Sequence, residues 1–365
     1  MIDLDLRAPS LSRSQWLQDW TLEKHSLYCC RDTWQDNWSP WCTNRVISLW
    51  TLSLISLNNS GRSGLELYCP NIHKQEIYVK FSRRRTSLSI QCIVHKSEAE
   101  IIQDTREVFA GTNFVETISI EKCENISGRF IREFNFTNVR ELKLKGQTSG
   151  SNSGLEILSS LPELTKLDIT ASSFRLTHQL IATNRKLSKI DVSDNQKVSI
   201  ANNSFSRLER LQHLTIQDNN LQSLDFLRET QNLETLNLQG NKIQVLEADL
   251  FVNMKKLRTL HMGGNRFSRL PPGLLDHMPH LETFIINCNH FETFPSGLLR
   301  HNKNLTQFEL DNQSSRCRKG KKTRLPRDMF LSAELRTITF RNVYIARLPR
   351  GWLTNCSGNT LSQIW

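Results

Sequence analysis

The histidines are the first residues of this sequence to consider for metal binding or acid–base chemistry. There are ten of them, and those in the carboxy-terminal half are His213, His261, His277, His280, His290 and His301. None forms His-x3-His or His-Glu-x2-His, the spacings that place two metal ligands on one face of a helix. Neither a Gly-x-Ser-x-Gly elbow nor a Gly-x4-Gly-Lys-Ser/Thr phosphate loop occurs. The sequence therefore predicts no enzyme activity, no bound metal and no cofactor.

The cysteines favour disulfide chemistry over zinc binding. All nine, at positions 29, 30, 42, 69, 92, 123, 288, 317 and 356, lack the paired C-x2-C spacing of zinc sites. Eight Asn-x-Ser/Thr sequons agree with an oxidising, extracellular compartment, although the one at Asn37 is followed by Pro40 and is the weakest acceptor. The seven predicted glycosylation sites are Asn58, Asn125, Asn135, Asn202, Asn304, Asn312 and Asn355.

The charge of the chain is strongly positive, with 47 lysines and arginines against 36 aspartates and glutamates and a formal net charge of +11. Such an excess is compatible with a nucleic acid or a membrane surface as partner. It is spread over many segments, however, and clusters only at Arg83 to Arg85 and between Arg316 and Arg327. A solvated face is the simpler interpretation of both clusters.

The elements that would position any functional residue are repeats with a fixed leucine spacing. In residues 233–246, Leu233, Leu236 and Leu238 alternate along a short strand, and Asn241 follows three residues later. Leu236 and Leu238 point to one side of the strand and can only be buried if a neighbouring coil stacks on them. This is the spacing of a leucine-rich repeat.

The same spacing recurs on both sides of this segment. The first residues of ten units are Val115, Val139, Leu164, Leu187, Leu211, Leu233, Leu257, Leu281, Leu305 and Leu335. The sequence predicts an α/β fold, a right-handed leucine-rich-repeat solenoid with a concave parallel β-sheet, a convex face of short helices or irregular segments, and an amino-terminal cap. The repeats occupy 115–365, and no carboxy-terminal cap is recognised after the last unit.

Asparagines at one position of the template are predicted to be structural. Each follows a strand, where its amide can bond main-chain groups of adjacent coils that would otherwise be buried without partners. These asparagines are Asn195, Asn219, Asn241, Asn265 and Asn289. Cys123 takes the same place in the first unit.

The residues before the repeats divide into three parts. Residues 1–44 have no repeat spacing and no assigned role, and 45–60 contain an apolar run that resembles a signal peptide but stands far from the first residue. Either the true start lies nearer residue 45, or the upstream piece comes from a mispredicted exon, or the run is a buried strand. Residues 61–114 form the cap, with strand-like alternation at 76–81 and 88–92 and with Cys69–Cys92 as the natural disulfide. Cys123 either joins these cysteines or is a buried free thiol.

An insertion lengthens the repeat that begins at Leu305, since the next unit begins 30 residues later, at Leu335. The repeat register places Cys317 near Cys288, which predicts a Cys288–Cys317 disulfide at the base of a projecting loop. The basic tip of this loop either faces an acidic partner or is only solvated. Its candidate ligand-binding residues are Lys319, Lys321 and Lys322.

The cap, the repeats and several phrases resemble the amino-terminal half of an insect Toll receptor ectodomain, in the Toll-like receptor family. The phrases are Leu65-Glu-Leu-Tyr-Cys-Pro, Leu298-Leu-Arg-His-Asn-Lys-Asn-Leu305, Arg324-Leu-Pro-Arg-Asp-Met-Phe330 and the recurring Leu-Pro-x-x-Leu/Phe segments. The resemblance covers about residues 65–365. It implies binding of a dimeric cystine-knot cytokine of the Spätzle type, pairing of receptors, and signalling in innate immunity or development. The chain as written shows no run of about 20 apolar residues, so no membrane span is expected in it.

Two classes of function follow, and both are extracellular. The chain is either the ligand-binding ectodomain of a cell-surface receptor, or a secreted repeat protein that captures its ligand without signalling. Nucleic acid is not expected as the ligand, because basic residues do not line the concave strand positions. The candidate ligand-binding residues on those positions are His213, Gln217, Glu234, Asn237, Arg258, His261, Glu282 and Ile285.

Overall fold

The computed structural model describes ten segments of the chain: 77–82, 86–93, 97–106, 109, 114–123, 126–147, 152–195, 197–311, 323–329 and 336–341. Several sequence predictions lie outside these residues, namely those on 1–44 and 45–60, on Cys69, Cys317, Lys319, Lys321 and Lys322, and on Asn58, Asn125, Asn312 and Asn355. The described part of the solenoid therefore begins in the cap at Ile77 and reaches Arg341.

Fourteen strands occur in the described residues, and twelve of them form one sheet that runs through the repeats. The strands are β1 Ile77–Phe81, β2 Ser87–Cys92, β3 Thr117–Glu121, β4 Glu141–Lys145, β5 Lys166–Thr170, β6 Ser173–Leu176, β7 Lys189–Asp191, β8 Lys197–Ile200, β9 His213–Thr215, β10 Thr235–Asn237, β11 Thr259–His261, β12 Thr283–Ile285, β13 Gln307–Asp311 and β14 Thr337–Arg341. Strands β1 and β2 pair antiparallel, and from β2 onwards each neighbouring pair in this sheet is parallel. Each of the ten predicted units contributes one strand to it, while β6 and β8 form a separate pair. The predicted leucine-rich-repeat solenoid is confirmed.

The segments that connect the strands on the convex side differ in secondary structure along the chain. The first coils use helices, α1 Glu98–Thr105, α2 Gly128–Glu133 and α3 His178–Ile181, with 3-10 helices at Asn152–Ser160 and Asp225–Leu227. In residues 238–306 the segments between strands are turns and irregular chain.

Helix α1 joins the cap to the first repeat through its first turn. It begins at a capping box, in which Glu100 Oε2 accepts a hydrogen bond from Ser97 N at 2.8 Å. Glu98 reaches the next helix, where its Oε1 accepts from Ser127 N at 2.8 Å and from Phe130 N at 3.1 Å. These bonds satisfy amides at the start of α2 that have no partner within the helix.

The core is a column of apolar side chains between the sheet and the convex segments. Leu236 and Leu238 are fully buried, as their alternation predicts. Phenylalanines extend the column in the later coils: the ring centroids of Phe284 and Phe308 lie 5.9 Å apart, and those of Phe308 and Phe340 lie 6.0 Å apart. Each side chain of this size contributes about 1.5–3 kcal/mol when it is buried, so stacking of coils is the main source of stability.

The disulfide of the cap differs from the sequence prediction. Cys92 is bonded to Cys123, with a Cα–Cα distance of 5.1 Å, so the expected Cys69–Cys92 pairing is wrong and Cys123 is not a free thiol. The reason is strand register, because β2 and β3 are neighbours and both cysteines leave the sheet at the same edge. The bond spans a sequence separation of 31 and stabilises the fold by about 3–4 kcal/mol in the chain-entropy treatment.

The chain leaves the strands through residues with positive φ. Gly240 has a φ of 71° and Gly264 a φ of 64°, and a Cβ on Gly240 would lie only 2.0 Å from Asp218 Oδ1. This left-handed conformation turns the following residue into the coil. The other residues with positive φ at this position are Lys122, Gly146, Ala171, Asp194, Asp218 and Cys288.

The residue that follows is, in five consecutive coils, a buried asparagine that bonds the main chain of two coils. Asn241 is 4% exposed; its Oδ1 accepts from Leu221 N at 3.1 Å, and its Nδ2 donates to Ile216 O at 2.7 Å and Leu238 O at 3.0 Å. The same kind of bonding holds Asn195, Asn219, Asn265 and Asn289, all of them buried. In the first unit the disulfide at Cys123 stands where this amide would be.

We expect Asn241→Ala and Asn265→Ala each to lower the free energy of unfolding by about 1–3 kcal/mol, because each leaves buried main-chain groups without partners. Denaturant titration followed by circular dichroism measures the loss. Asn203→Ala is the matched control, because Asn203 is exposed, and its change should stay within about 0.5 kcal/mol. A loss of only a few tenths of a kcal/mol at both ladder positions would contradict the structural role.

Candidate ligand-binding face

Parallel register turns the concave side of the sheet into rows of side chains. Positions between the buried leucines face solvent, because side chains alternate along a strand. The middle row, formed by strand residues in register, is Ser119, Lys143, Asp168, Asp191, Thr215, Asn237, His261, Ile285, Glu309 and Thr339. The leading row, formed by the residue just before each strand, includes Gln212, Glu234, Arg258 and Glu282.

Opposite charges alternate in the first half of the face, from β3 to β7. Lys143 Nζ lies 3.0 Å from Glu141 Oε1, and Lys166 Nζ lies 3.9 Å from Glu141 Oε2. Lys145 Nζ lies 3.5 Å from Glu121 Oε1. These cations are neutralised by neighbouring carboxylates, whereas a groove that follows a nucleic-acid backbone is positively charged along its length.

Asp168 is the carboxylate of this half with the least favourable surroundings. It lies beside Asp191 in the register of β5 and β7. Its pKa is raised, first by burial and then by the charge of Asp191, while the charge of Lys143 opposes the shift. The ionised form of Asp168 is therefore disfavoured by folding.

Neutral polar side chains prevail in the second half of the face, from β9 to β12. Asn237 Nδ2 donates a hydrogen bond to Gln217 Oε1 at 3.1 Å, so two of the predicted residues are in contact. His213, at the start of β9, is in register with Thr235 of β10. The structure thus brings Gln217 and Asn237 into contact and places His213 on the same coil as Gln217, and all three are half-buried.

The predicted charged residues lie on the leading row. Arg258 and Glu282 form an ion pair between neighbouring coils, and their side chains are 53% and 45% exposed. Glu234 accepts a hydrogen bond from Gln212 Nε2 at 3.1 Å. An exposed pair such as Arg258 and Glu282 contributes at most about 1 kcal/mol to stability, so a ligand can compete for it.

The middle row then combines an imidazole, an aliphatic side chain and a carboxylate. His261, Ile285 and Glu309 are register partners on three consecutive strands. Burial lowers the pKa of His261, and the charge of Glu309 opposes this shift. Glu309 accepts hydrogen bonds from Gln307 Nε2 at 2.6 Å and from Asn287 Nδ2 at 3.2 Å.

Glu309 was not among the residues predicted from the sequence. It lies between two buried residues of its unit, Phe308 and Leu310, in the position that Asn237 occupies in the best-formed repeat. The spacing of Phe308 and Leu310 could therefore have identified Glu309 as a residue of the concave face. The unit matches the template less closely than the five units before it, because no asparagine follows its strand at the usual place.

The glycosylation sites within the described residues avoid the strands. Asn135, Asn202 and Asn304 are exposed and lie in turns outside the sheet. Glycans at these positions would leave the concave rows open.

The inserted basic loop lies outside the described residues. Cys288, which precedes it, is disulfide-bonded. Its pairing with Cys317 and the role of Lys319, Lys321 and Lys322 in binding stay predictions.

The described segments contain no group of three or more histidine, cysteine, aspartate or glutamate side chains arranged to hold a metal ion. They also contain no helix with the length and apolar character needed to cross a membrane.

Comparison with known proteins identifies the repeats. Residues 100–227 match the family described as "BspA type Leucine rich repeat region (6 copies)", and residues 231–291 match the family described as "Leucine rich repeat". Epiphycan of Gallus gallus is 34% identical over 131 residues, which make up 35% of this chain and 40% of epiphycan. The chain thus spans well under two thirds of this relative's length.

Solved structures share the fold at low sequence identity. TLR13, in its complex with ssRNA13, has a TM-score of 0.57 and 19% identity over 72% of this chain and 37% of the other. The octameric complex of Latrophilin 3, Unc5D and FLRT2 contains a chain with a TM-score of 0.55 and 18% identity, over 67% of this chain and 73% of the other. The complex of Toll with Spätzle from Drosophila reaches a TM-score of 0.43 at 14% identity, over 82% and 56% of the two chains, too weak a likeness to support an argument.

The sheet, the asparagine ladder and these matches make the chain a leucine-rich-repeat protein. Its fold is shared with TLR13 and equally with other proteins built from these repeats.

We expect Asp168→Asn to stabilise the protein at pH 7 by up to about 1 kcal/mol, the scale of partly exposed charge interactions. The pKa of Asp168 is higher in the folded state than in the unfolded chain, so folding favours the protonated carboxyl. The wild-type protein therefore gains stability as the pH falls through the folded-state pKa, and the advantage of the variant disappears below the unfolded pKa of about 3.9.

Denaturant titration of both proteins at pH 7 and near pH 3.5 measures this difference. Glu156→Gln serves as the control, because Glu156 is exposed on the convex side, and it should not change the dependence on pH. A variant less stable than wild type at pH 7 would contradict the expectation.

Proposed function

We propose that the chain is an extracellular leucine-rich-repeat region that binds a protein ligand on its concave face and has no catalytic activity of its own. The observation that carries this proposal is the continuity of the two rows across β9 to β12. There, mostly polar side chains that are exposed or half-buried face outward in fixed register on consecutive coils. Hydrogen-bonding groups and partly buried side chains on a rigid support are what a specific protein interface requires.

The Cys92–Cys123 disulfide supports an extracellular location. Disulfides persist in oxidising compartments and are rare in the cytosol. Cys288 is disulfide-bonded as well. The exposed sequons at Asn135 and Asn202 also fit this compartment, since glycans are added to such sites in secreted proteins.

The finer proposal concerns the ligand. The cap and repeat phrases that resemble an insect Toll receptor favour a dimeric cystine-knot cytokine of the Spätzle type, with receptor pairing after binding and a role in innate immunity or development. This step rests on the sequence phrases, because the structural likeness to TLR13 supports the fold alone.

Nucleic acid suits this face less well than protein, although TLR13 was solved with ssRNA13. Lys143, Lys145 and Lys166 are paired with carboxylates, and the second half of the face is mostly neutral. A nucleic-acid ligand would place phosphates against the carboxylates of Glu141 and Asp168.

A second candidate is a secreted repeat protein that captures its ligand without signalling. The sequence similarity to epiphycan supports this second candidate. This chain is 34% identical to epiphycan over 131 residues, whereas it is 19% identical to TLR13. Reading the transcript beyond Trp365 decides between the two. A downstream membrane span and cytoplasmic domain would establish the receptor.

We expect the double substitution Arg258→Ala with Glu282→Ala to weaken binding of a Spätzle-type cytokine at least about tenfold, or 1.4 kcal/mol. The melting temperature should hardly change, because the pair is exposed and contributes little to folding. Biolayer interferometry on the secreted chain measures the affinity.

Lys186→Ala with Glu163→Ala is the matched control. That pair has a similar exposure, 44% and 43%, but lies in turns outside the concave rows. Equal affinities for the wild type and the Arg258 and Glu282 variant would remove the concave-face proposal. Absence of cytokine binding to the wild type would remove the cytokine as ligand.

A further inference from the structure

We infer that the concave face between β11 and β13 receives a lysine or arginine side chain of the protein ligand, with the carboxylate of Glu309 as its counter-ion. This inference rests on the proposed function, since it assumes that the ligand is a protein bound to the concave rows. It goes further by naming the chemistry of the contact. The residues concerned are His261, Gly263, Ile285, Asn287 and Glu309, together called the acidic notch.

The first observation is that Glu309 is held in place without being neutralised. Gln307 Nε2 donates to Oε1 at 2.6 Å, and Asn287 Nδ2 donates to Oε2 at 3.2 Å. Both donors are neutral amides. Within the described part of the chain, no lysine or arginine forms an ion pair with Glu309, whereas Glu141 and Glu282 on the same face each have one.

The second observation is the apolar neighbour of this carboxylate. Ile285 is the register partner of Glu309 on β12 and is the one aliphatic member of the middle row as defined above. It is half-buried, so part of its side chain is in contact with solvent. Lysine and arginine cover apolar surface with their methylene stems while the charged end reaches a polar group. An isoleucine beside an uncompensated carboxylate matches both parts of such a side chain.

The third observation is that the row beyond the middle one lacks a side chain at Gly263. Gln239, Gly263 and Asn287 occupy equivalent places two residues after the strand residues Asn237, His261 and Ile285. A Cβ on Gly263 would lie 3.1 Å from Asn287 O, so the main chain of the next coil fills this space. No side chain at this place therefore covers Ile285.

His261, on the other side of Ile285, is compatible with a cation. Burial lowers its pKa, so the imidazole is neutral at physiological pH and does not repel a positive charge. A ligand anion would instead meet the carboxylate of Glu309 with no described cation beside it. The acidic notch therefore selects a basic side chain over an acidic one.

The test compares isosteric substitutions at a carboxylate of the concave face and at one outside it. Glu309→Gln keeps the shape and removes the charge, and it should weaken binding of the Spätzle-type cytokine at least about tenfold. Glu156→Gln is the matched control, because Glu156 is exposed and lies on the convex side, away from both rows. Its effect should stay below about twofold, and melting temperatures should show that both variants fold.

A second measurement does not depend on the cytokine. In saturation-transfer NMR on the wild-type chain, N-acetyl-L-arginine amide and N-acetyl-L-lysine amide should give saturable, salt-sensitive signals, and N-acetyl-L-glutamine amide should not. Glu309→Gln and Ile285→Thr should both abolish these signals, while Glu156→Gln should retain them.

The outcomes separate the two proposals. If the wild type fails to bind the cytokine but shows amide signals that require Glu309, the cytokine is wrong and the acidic notch stands. If the wild type binds the cytokine and Glu309→Gln binds it equally well, the acidic notch is wrong and the proposed function stands. If the arginine and lysine amides give no signal that depends on Glu309, the inference is overturned whatever the cytokine does.

Discussion

The structure depends on satisfying the main-chain groups that become buried where each coil leaves the sheet. A stack of short strands buries carbonyl and amide groups at the strand ends, and an unpaired one costs as much as a lost hydrogen bond or more. The chain meets this constraint with a residue of positive φ followed by a buried asparagine, whose amide joins two coils at once. In the first unit, the Cys92–Cys123 disulfide joins two neighbouring strands at the same point.

This constraint fixes the register of the coils, and the register creates the binding face. Because Leu236 lies beside Leu214 and Leu260, the residues between the leucines also line up, coil after coil. The buried leucines fix the positions of the residues in each row. The types of side chain in the rows are not fixed in this way and can vary from coil to coil. In this chain they pass from paired charges near Asp168, through amides near Asn237, to the acidic notch around Ile285.

The fold alone does not choose a ligand. Proteins with the same solenoid but different partners show that specificity lies in the side chains of the exposed rows. Three groups on these rows favour a protein ligand. They are the exposed ion pair of Arg258 and Glu282, the amide contact of Asn237 with Gln217, and the carboxylate of Glu309, which forms no ion pair with a described lysine or arginine. Each of these groups can be altered without touching the buried column that holds the fold.

The sequence by itself determined the solenoid, because its signal is local. The spacing of Leu233, Leu236, Leu238 and Asn241 indicates, within a few residues, where the strand lies, which of its sides is buried and where the strand ends. The repetition of this spacing along the chain identifies the repeats. The burial of the asparagines and most of the concave candidates followed from the same template.

Only the tertiary structure decided which residues from different coils meet. The partner of Cys92 could not be read from the sequence, because cysteines separated by about a coil's length become neighbours only once β2 and β3 are paired in register. The pairing of Arg258 with Glu282 has the same origin, as does the grouping of Glu309 with Asn287 and Ile285. Contacts between coils depend on the register of one strand against the next. The leucine spacing shows only which residues within each strand are buried.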